Sequence, residues 1–333
     1  MAYGDPYDTS PGLSLAGKGG LALAFVAFLV LTLLPGNGTV AANQMFTGHG
    51  VCFPTLESLP VPGKWAVWIN ILVISVAGIF SVMLTKHYNY VSSGNLLYVI
   101  AMFVMCGAVP MISERLNSGV LMLVVVLICM RRMFSLYGRR YCAEGIFLIF
   151  CLLSIGSMIQ YGFVLLMPVF LLGACFMRLM RFREVIAMFI GILTPYWILL
   201  ATGLIEFHDL RAPSLSNMFR IGQDPLGFFQ MVLTIGISVL YFVFALLANL
   251  TRGGADGVMQ RSRREVMHLL GFSLLWFMVF DFTNILTYLP SFFLCTGYEC
   301  AFWGMRLRAN QRHNIALSLF LIYIPLAIVF DWF

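Results

Sequence analysis

Residues 131–145 read RRMFSLYGRRYCAEG and residues 178–184 read RLMRFRE; the stretch between them is a predominantly apolar run broken at Gln160 and Tyr161. A helix crosses a bilayer in about 20 residues, so an intervening run of about thirty is too long to cross once and too apolar to lie in water. The chain must enter the membrane, turn at the polar break and come back. Both arginine-rich knots then face the same side, which the positive-inside rule makes the cytoplasm.

The rest of the chain has the same character. Of 333 residues, 61% are hydrophobic and 10% charged, far from the roughly 25% charged of a soluble domain. Apolar runs fall at about 19–35, 65–85, 96–112, 118–130, 145–159, 161–177, 185–205, 226–249, 266–284, 287–304 and 314–332. This pattern predicts an all-α polytopic transmembrane helical bundle of about eleven helices, or nine if the stretch 96–130 is a re-entrant pair. No segment is long and polar enough for a separate soluble domain, so residues 1–333 read as a single integral membrane domain. The N-terminus has neither the basic start nor the small-residue cleavage site of a signal peptide, and the first run reads as a retained helix.

Loop charge gives the orientation. With the N-terminus inside and the C-terminus outside, only Lys64, Arg115, Arg211 and Arg220 of the 20 basic residues face out, the bias expected of a cytoplasmic side rich in Lys and Arg. The net charge of +6 therefore reflects topology and contact with anionic headgroups, and nucleic acid is not an expected partner. Outside lie a Gly- and Pro-rich loop at 36–64, which reads as either an ordered cap or a flap, a turn at 113–117, a loop at 206–225 and a turn near Leu286 to Pro290.

The candidate chemistry lies in the few polar residues. An acidic residue at membrane depth costs at least ~2.5 kcal/mol and is a functional candidate for that reason. Asp281, followed by Thr283 and Asn284, is the first, near the outer end of its helix. Glu299 is the second and nominally deeper: it could pair with an external arginine, or its helix could begin later. The outer loop EFHDLRAPSLSNMFRIGQDP adds His208, Asp209, Arg211 and Arg220. Its two arginines suit a phosphate or pyrophosphate and His208 or Asp209 a base, although the same charges could simply pair with one another. Glu114 and Arg115 are in the neighbouring turn. His208, Asp209 and Asp281 are thus the catalytic candidates, and Arg211, Arg220, Arg115 and Glu299 the substrate-binding ones.

Other chemistries lack their motifs. The histidines at 49, 87, 208, 268 and 313 include no i, i+4 pair, and the eight cysteines show no CxxC spacing, so neither a metal nor another cofactor is expected. Cys295 and Cys300 could oxidise only in an irregular segment. There is no P-loop, dinucleotide-binding glycine motif or GxSxG elbow. No internal repeat of the transporter type is visible, although Pro110, Pro168, Pro195 and Pro325 interrupt four apolar runs.

The basic pairs of RRMFSLYGRR, the polar-tipped hairpin SIGSMIQYGFVLLMPVFLL and the segment RLMRFREVIAMFIGILTPYW resemble an uncharacterised family of polytopic inner-membrane proteins from Bacteroidota. The likeness runs from about Asn95 to the C-terminus. It implies a multi-pass protein of a bacterial cell inner membrane, with no activity to carry over residue by residue. In plan the chain is also similar to glycan polymerases and multi-spanning glycosyltransferases that use lipid-linked sugars. Those keep a catalytic acid, often in a pair, in the first external loop; here the loop 36–64 has only Glu57. The expected role is in envelope biogenesis, with a lipid-linked or anionic substrate at the outer face. The expected partners are membrane lipids, a lipid-linked glycan or other membrane proteins. A non-catalytic subunit of a membrane assembly and a small-molecule transporter are the alternatives.

Overall fold

The computed structural model describes residues 15–33, 50–59, 61–88, 91, 95–113, 115–206, 225–251 and 257–332. Among them are eleven α-helices: α1 (Lys18–Leu33), α2 (Gly63–Tyr88), α3 (Leu97–Gly107), α4 (Ser118–Leu136), α5 (Ala143–Ile159), α6 (Gly162–Phe176), α7 (Phe182–Ala201), α8 (Pro225–Thr251), α9 (Val258–Phe280), α10 (Ile285–Met305) and α11 (Ala309–Trp332). Five segments are long and apolar enough to span a bilayer: Gly63–Tyr88, Ser118–Leu136, Phe182–Ala201, Met231–Thr251 and Asn310–Val329.

Hydrogen bonds between helix ends sort those ends into two levels. At one, Leu96 N–H donates to Ala16 O at 3.0 Å, Tyr88 Oη to Arg131 O at 3.0 Å, Arg263 to Tyr88 O at 2.9 Å and Arg181 to Arg140 O at 3.4 Å. At the other, Asn70 Nδ2 donates to Ser113 O at 3.0 Å and Val51 N–H to Ser157 O at 3.1 Å. Of the described Lys and Arg residues, only Lys64 and Arg115 belong to the second level. The two levels are called below the arginine-rich end and the far end.

This sorting decides the re-entrant alternative. Helix α3 starts at the level of Ala16 and its chain reaches Ser113 at the level of Asn70. It crosses the bundle, so the nine-helix version does not hold. With 11 residues, α3 rises only ~16 Å of a ~30 Å hydrocarbon core, and a 3-10 turn at Pro110–Ile112 completes the crossing. Irregular backbone is tolerated at membrane depth only where protein surrounds it. Every residue of α3 is buried.

Helix α10 is the axis of the bundle. All its residues from Ile285 to Phe302 are buried, and it packs against α3, α4, α8, α9 and α11. It is also among the more polar helices, with Thr287, Ser291, Thr296, Tyr298 and Glu299 in its length. A helix enclosed by other helices can keep polar side chains because neighbours, rather than lipid, satisfy them. The peripheral helices do the reverse: α2 turns Trp68, Leu72, Val76, Ile79 and Met83 outward, each more than half exposed. Such a belt belongs against acyl chains.

Two sequence expectations change at α10. The outer turn expected near Leu286 to Pro290 is helix, and the turn is a 3-10 segment at Phe282–Asn284. Pro290 is tolerated inside α10 because it removes the donor for only the Leu286 carbonyl, in the first turn. Cys295 and Cys300 are buried and unpaired in a regular helix, so the irregular segment their oxidation would need is not present.

Candidate functional site

The end of α9 builds the far-end site. The helix stops at Asp281, whose backbone leaves helical geometry (φ −119°, ψ 61°), and the 3-10 turn folds its neighbours back onto the carboxylate. Asn284 Nδ2 donates to Asp281 Oδ1 at 2.8 Å and Tyr288 Oη donates to Oδ2 at 2.8 Å. Each carboxylate oxygen therefore has a positioned donor, and the residue is only half-buried.

Gln160 continues the site across the bundle. It occupies the break between α5 and α6, is 2% exposed, and donates from Nε2 to Asn284 Oδ1 at 3.4 Å and Thr287 Oγ1 at 3.3 Å. Its Oε1 is buried without a hydrogen-bond partner, and so is Ser291 Oγ, one turn along α10 from Thr287. Buried polar atoms are nearly always satisfied by protein, water or ligand. Gln160, Thr287 and Ser291 are buried, whereas the Asp281 carboxylate is only half-buried. A carboxylate placed there suits a partner bearing hydroxyl or amide donors.

The described part of the first far-end loop is ordered against this region. Val51 N–H donates to Ser157 O at 3.1 Å and Phe53 N–H to Met158 O at 2.9 Å, so residues 50–53 lie along the last turn of α5. Ser157 Oγ is 2.6 Å from Tyr196 Oη, which ties α7 to the same place. Asn117 caps α4, its Oδ1 accepting from Gly119 N–H at 2.7 Å, and Glu57 reinforces the same end: Oε1 accepts from Ser118 N–H at 2.6 Å and Oε2 from Ser118 Oγ at 2.8 Å. A carboxylate there meets the positive end of the helix dipole.

The sequence candidates are distributed as follows. His208, Asp209, Arg211, Arg220 and Glu114 lie outside the described residues. Arg115 is half-buried in the turn before α4, and its carbonyl accepts from Asn70 Nδ2. Asp281 and Glu299 are not brought together. Eighteen residues apart along helical chain, they are separated by roughly 25 Å of rise. Glu299 sits in the arginine-rich half of α10, fully buried, with Oε1 2.5 Å from His268 Nδ1 and Oε2 accepting from Asn249 Nδ2 at 2.9 Å. Of the two alternatives left by the sequence, pairing with an external arginine does not occur among the described residues: a histidine from α9 is the partner, because α10 carries Glu299 away from the far end. Gln160 stood out in the sequence only as a polar break. His268 and Asn249 gave no signal there, since an isolated polar residue in an apolar run does not reveal which helix it faces.

No protein-family model matches the chain, and no curated protein matches it.

Proposed function

We propose that this multi-pass membrane protein belongs to the inner membrane of a bacterium and acts in envelope biogenesis, handling a lipid-linked or anionic substrate at its far end, which faces outward. The observation that carries this reading is the half-buried Asp281 carboxylate, held by Tyr288 and Asn284 beside the unsatisfied Gln160 carbonyl. A carboxylate held in this way recognises a sugar, whose hydroxyls are donors, better than a bare phosphate, which it repels. The phosphate of a lipid-linked sugar would fall to the outer cations, Arg115 together with Arg211 and Arg220. The polyprenyl chain would run along the exposed apolar faces of the outer helices. Resemblance to the Bacteroidota inner-membrane family supports the compartment, and the accumulation of arginine at the opposite end supports the orientation.

The test is binding to the purified protein in lipid nanodiscs. A polyprenyl-phosphate-linked sugar should bind more tightly than polyprenyl phosphate alone, and the free sugar weakest. Asp281→Asn should weaken binding of the sugar-bearing lipid by about tenfold, corresponding to one hydrogen bond to a charged group. Equal affinity for lipid phosphate with and without the sugar, unchanged by Asp281→Asn, would overturn the reading.

A further inference from the structure

The two arginine-rich knots of the sequence meet in space. Arg181, just before α7, donates from Nη1 to the carbonyl of Arg140 in the loop before α5 at 3.4 Å, and the Arg183 guanidinium lies over the Tyr141 ring, 5.5 Å from its centroid. Segments 139–144 and 178–184 together hold five arginines and two glutamates. Among the described residues, none of these seven forms an ion pair. Arg139, Arg140, Arg181 and Arg183 are all exposed. Like charges gathered in this way are relieved by a counter-charge placed among them.

The cluster is held from beneath. Gly138 turns the chain after α4 with a φ of 79°, a conformation that favours glycine. Cys142 closes the loop: its Sγ donates to Leu136 O at 3.6 Å and to Arg139 O at 3.5 Å, and its N–H to Glu184 Oε1 at 3.3 Å. Glu184 comes from the first turn of α7 and is 2% exposed, so its carboxylate ties the two loops together while staying enclosed by protein. The arginine side chains therefore start from backbone that is already fixed, which lowers the entropic cost of gathering them round a ligand.

Next to the cluster begins an apolar face. Helix α7 packs against α5, and away from it Phe182, Ile186, Phe189, Leu193 and Trp197 follow one another at helical spacing, each between 44% and 82% exposed. From Phe182 to Leu193 the helix rises roughly 16 Å, about the depth of one leaflet.

We propose that the joined loops and this face of α7 form a binding site for one anionic phospholipid, its phosphate held by the arginines and an acyl chain lying along α7. Guanidinium pairs with phosphate through two parallel hydrogen bonds, and a zwitterionic head would bring an ammonium group up against the same arginines. Charge also selects lipid over a second copy of the chain, which would meet the patch with the same excess of arginine. A basic membrane rim attracts anionic lipid diffusely. Two loops tied over a buried carboxylate, at the head of an apolar face, make a localised site instead. It lies at the opposite end of the bundle from Asp281 and does not depend on the sugar-binding reading.

The experiment is native mass spectrometry of the full chain released from detergent, titrated with phosphatidylglycerol and with phosphatidylethanolamine of the same acyl chains. One phosphatidylglycerol should bind about tenfold more tightly than phosphatidylethanolamine. Arg140→Gln combined with Arg183→Gln should lower that affinity by about tenfold or more; the Arg140 carbonyl that Arg181 uses is kept. Arg131→Gln combined with Arg308→Gln removes the same charge from exposed positions elsewhere at this end and should change it by less than about threefold. Glycerophosphoglycerol, the headgroup without chains, should compete weakly. If the first pair of substitutions prevents folding, Arg140→Lys with Arg183→Lys keeps the charge, loses the fork and should weaken binding by a smaller factor. Equal losses from the two glutamine pairs, no preference over phosphatidylethanolamine, or competition by the free headgroup as strong as by the lipid would each overturn the proposal. So would a dimer that binds no phosphatidylglycerol, since it would give the face to a second copy.

Discussion

Gly119 of α4 lies against the carbonyl oxygen of Leu286 in α10, the oxygen that Pro290 leaves without its helical donor. A β-carbon at position 119 would be 2.4 Å from that oxygen and 2.8 Å from Thr287 O. The close crossing of α4 over α10 therefore requires glycine, and it brings the capped start of α4 next to Thr287 of the far-end site. Gly119→Ala should destabilise the protein by about 1–3 kcal/mol, the usual cost of overpacking. Thermal unfolding in detergent, followed by tryptophan fluorescence, should show a lower midpoint. An unchanged midpoint would mean that α4 and α10 do not meet this closely.

Glu57 closes the N-terminus of α4 through two hydrogen bonds from Ser118. Glu57→Ala leaves the Asn117 cap in place and should cost about 1–2 kcal/mol, the range for losing hydrogen bonds to a charged group at the helix dipole. It should also release the first far-end loop. Limited proteolysis of intact proteoliposomes checks this: cleavage between residues 50 and 62 should speed up in the variant and stay slow in the parent.

Tyr288→Phe removes the donor to Asp281 Oδ2 and leaves packing almost unaltered. The half-buried carboxylate can recruit water, so stability should fall by no more than about 1 kcal/mol. Binding of a sugar-bearing lipid should fall further, because Asp281 is no longer held in place. A stability loss equal to the binding loss would assign Tyr288 to the fold alone.

Orientation can be read with thiols. In a variant whose reactive native cysteines are replaced by serine, Asn217→Cys should react with an impermeant maleimide added to intact cells, and Gly257→Cys should react only after lysis. Cys142 can be left in place. Its burial, and then the negative charge of Glu184, push the thiol above its usual pKa. It stays protonated at neutral pH and reacts slowly. The opposite labelling pattern would place the arginine-rich end outside.

The helical segments were largely legible in the sequence because run length and loop composition are local properties. The observed α1 to α11 follow the apolar runs to within a few residues, except that α3 stops short at Gly107, α4 continues through its arginines to Leu136, and charged turns start α9 and α11 ahead of their apolar parts. Asp281 was legible as a candidate because a carboxylate near an apolar run is conspicuous by itself. Its partners were less so: Tyr288 lies beyond a turn that the proline at 290 made look like a loop, and Gln160 comes from 121 positions earlier in the chain.

Composition by itself determined that this chain lives in a membrane, roughly how often it crosses, and that its cations gather on one side. These follow from what lipid admits, segment by segment. Only the tertiary structure decided that α10 is the enclosed axis, that Glu299 meets His268 from α9, and that Gln160 reaches Asn284 and Thr287 beside Asp281. The reason is that lipid and the flanks of other helices are equally apolar, so hydrophobicity cannot tell a face turned to acyl chains from one turned to a neighbouring helix. Which polar groups meet depends on packing between helices far apart in the chain.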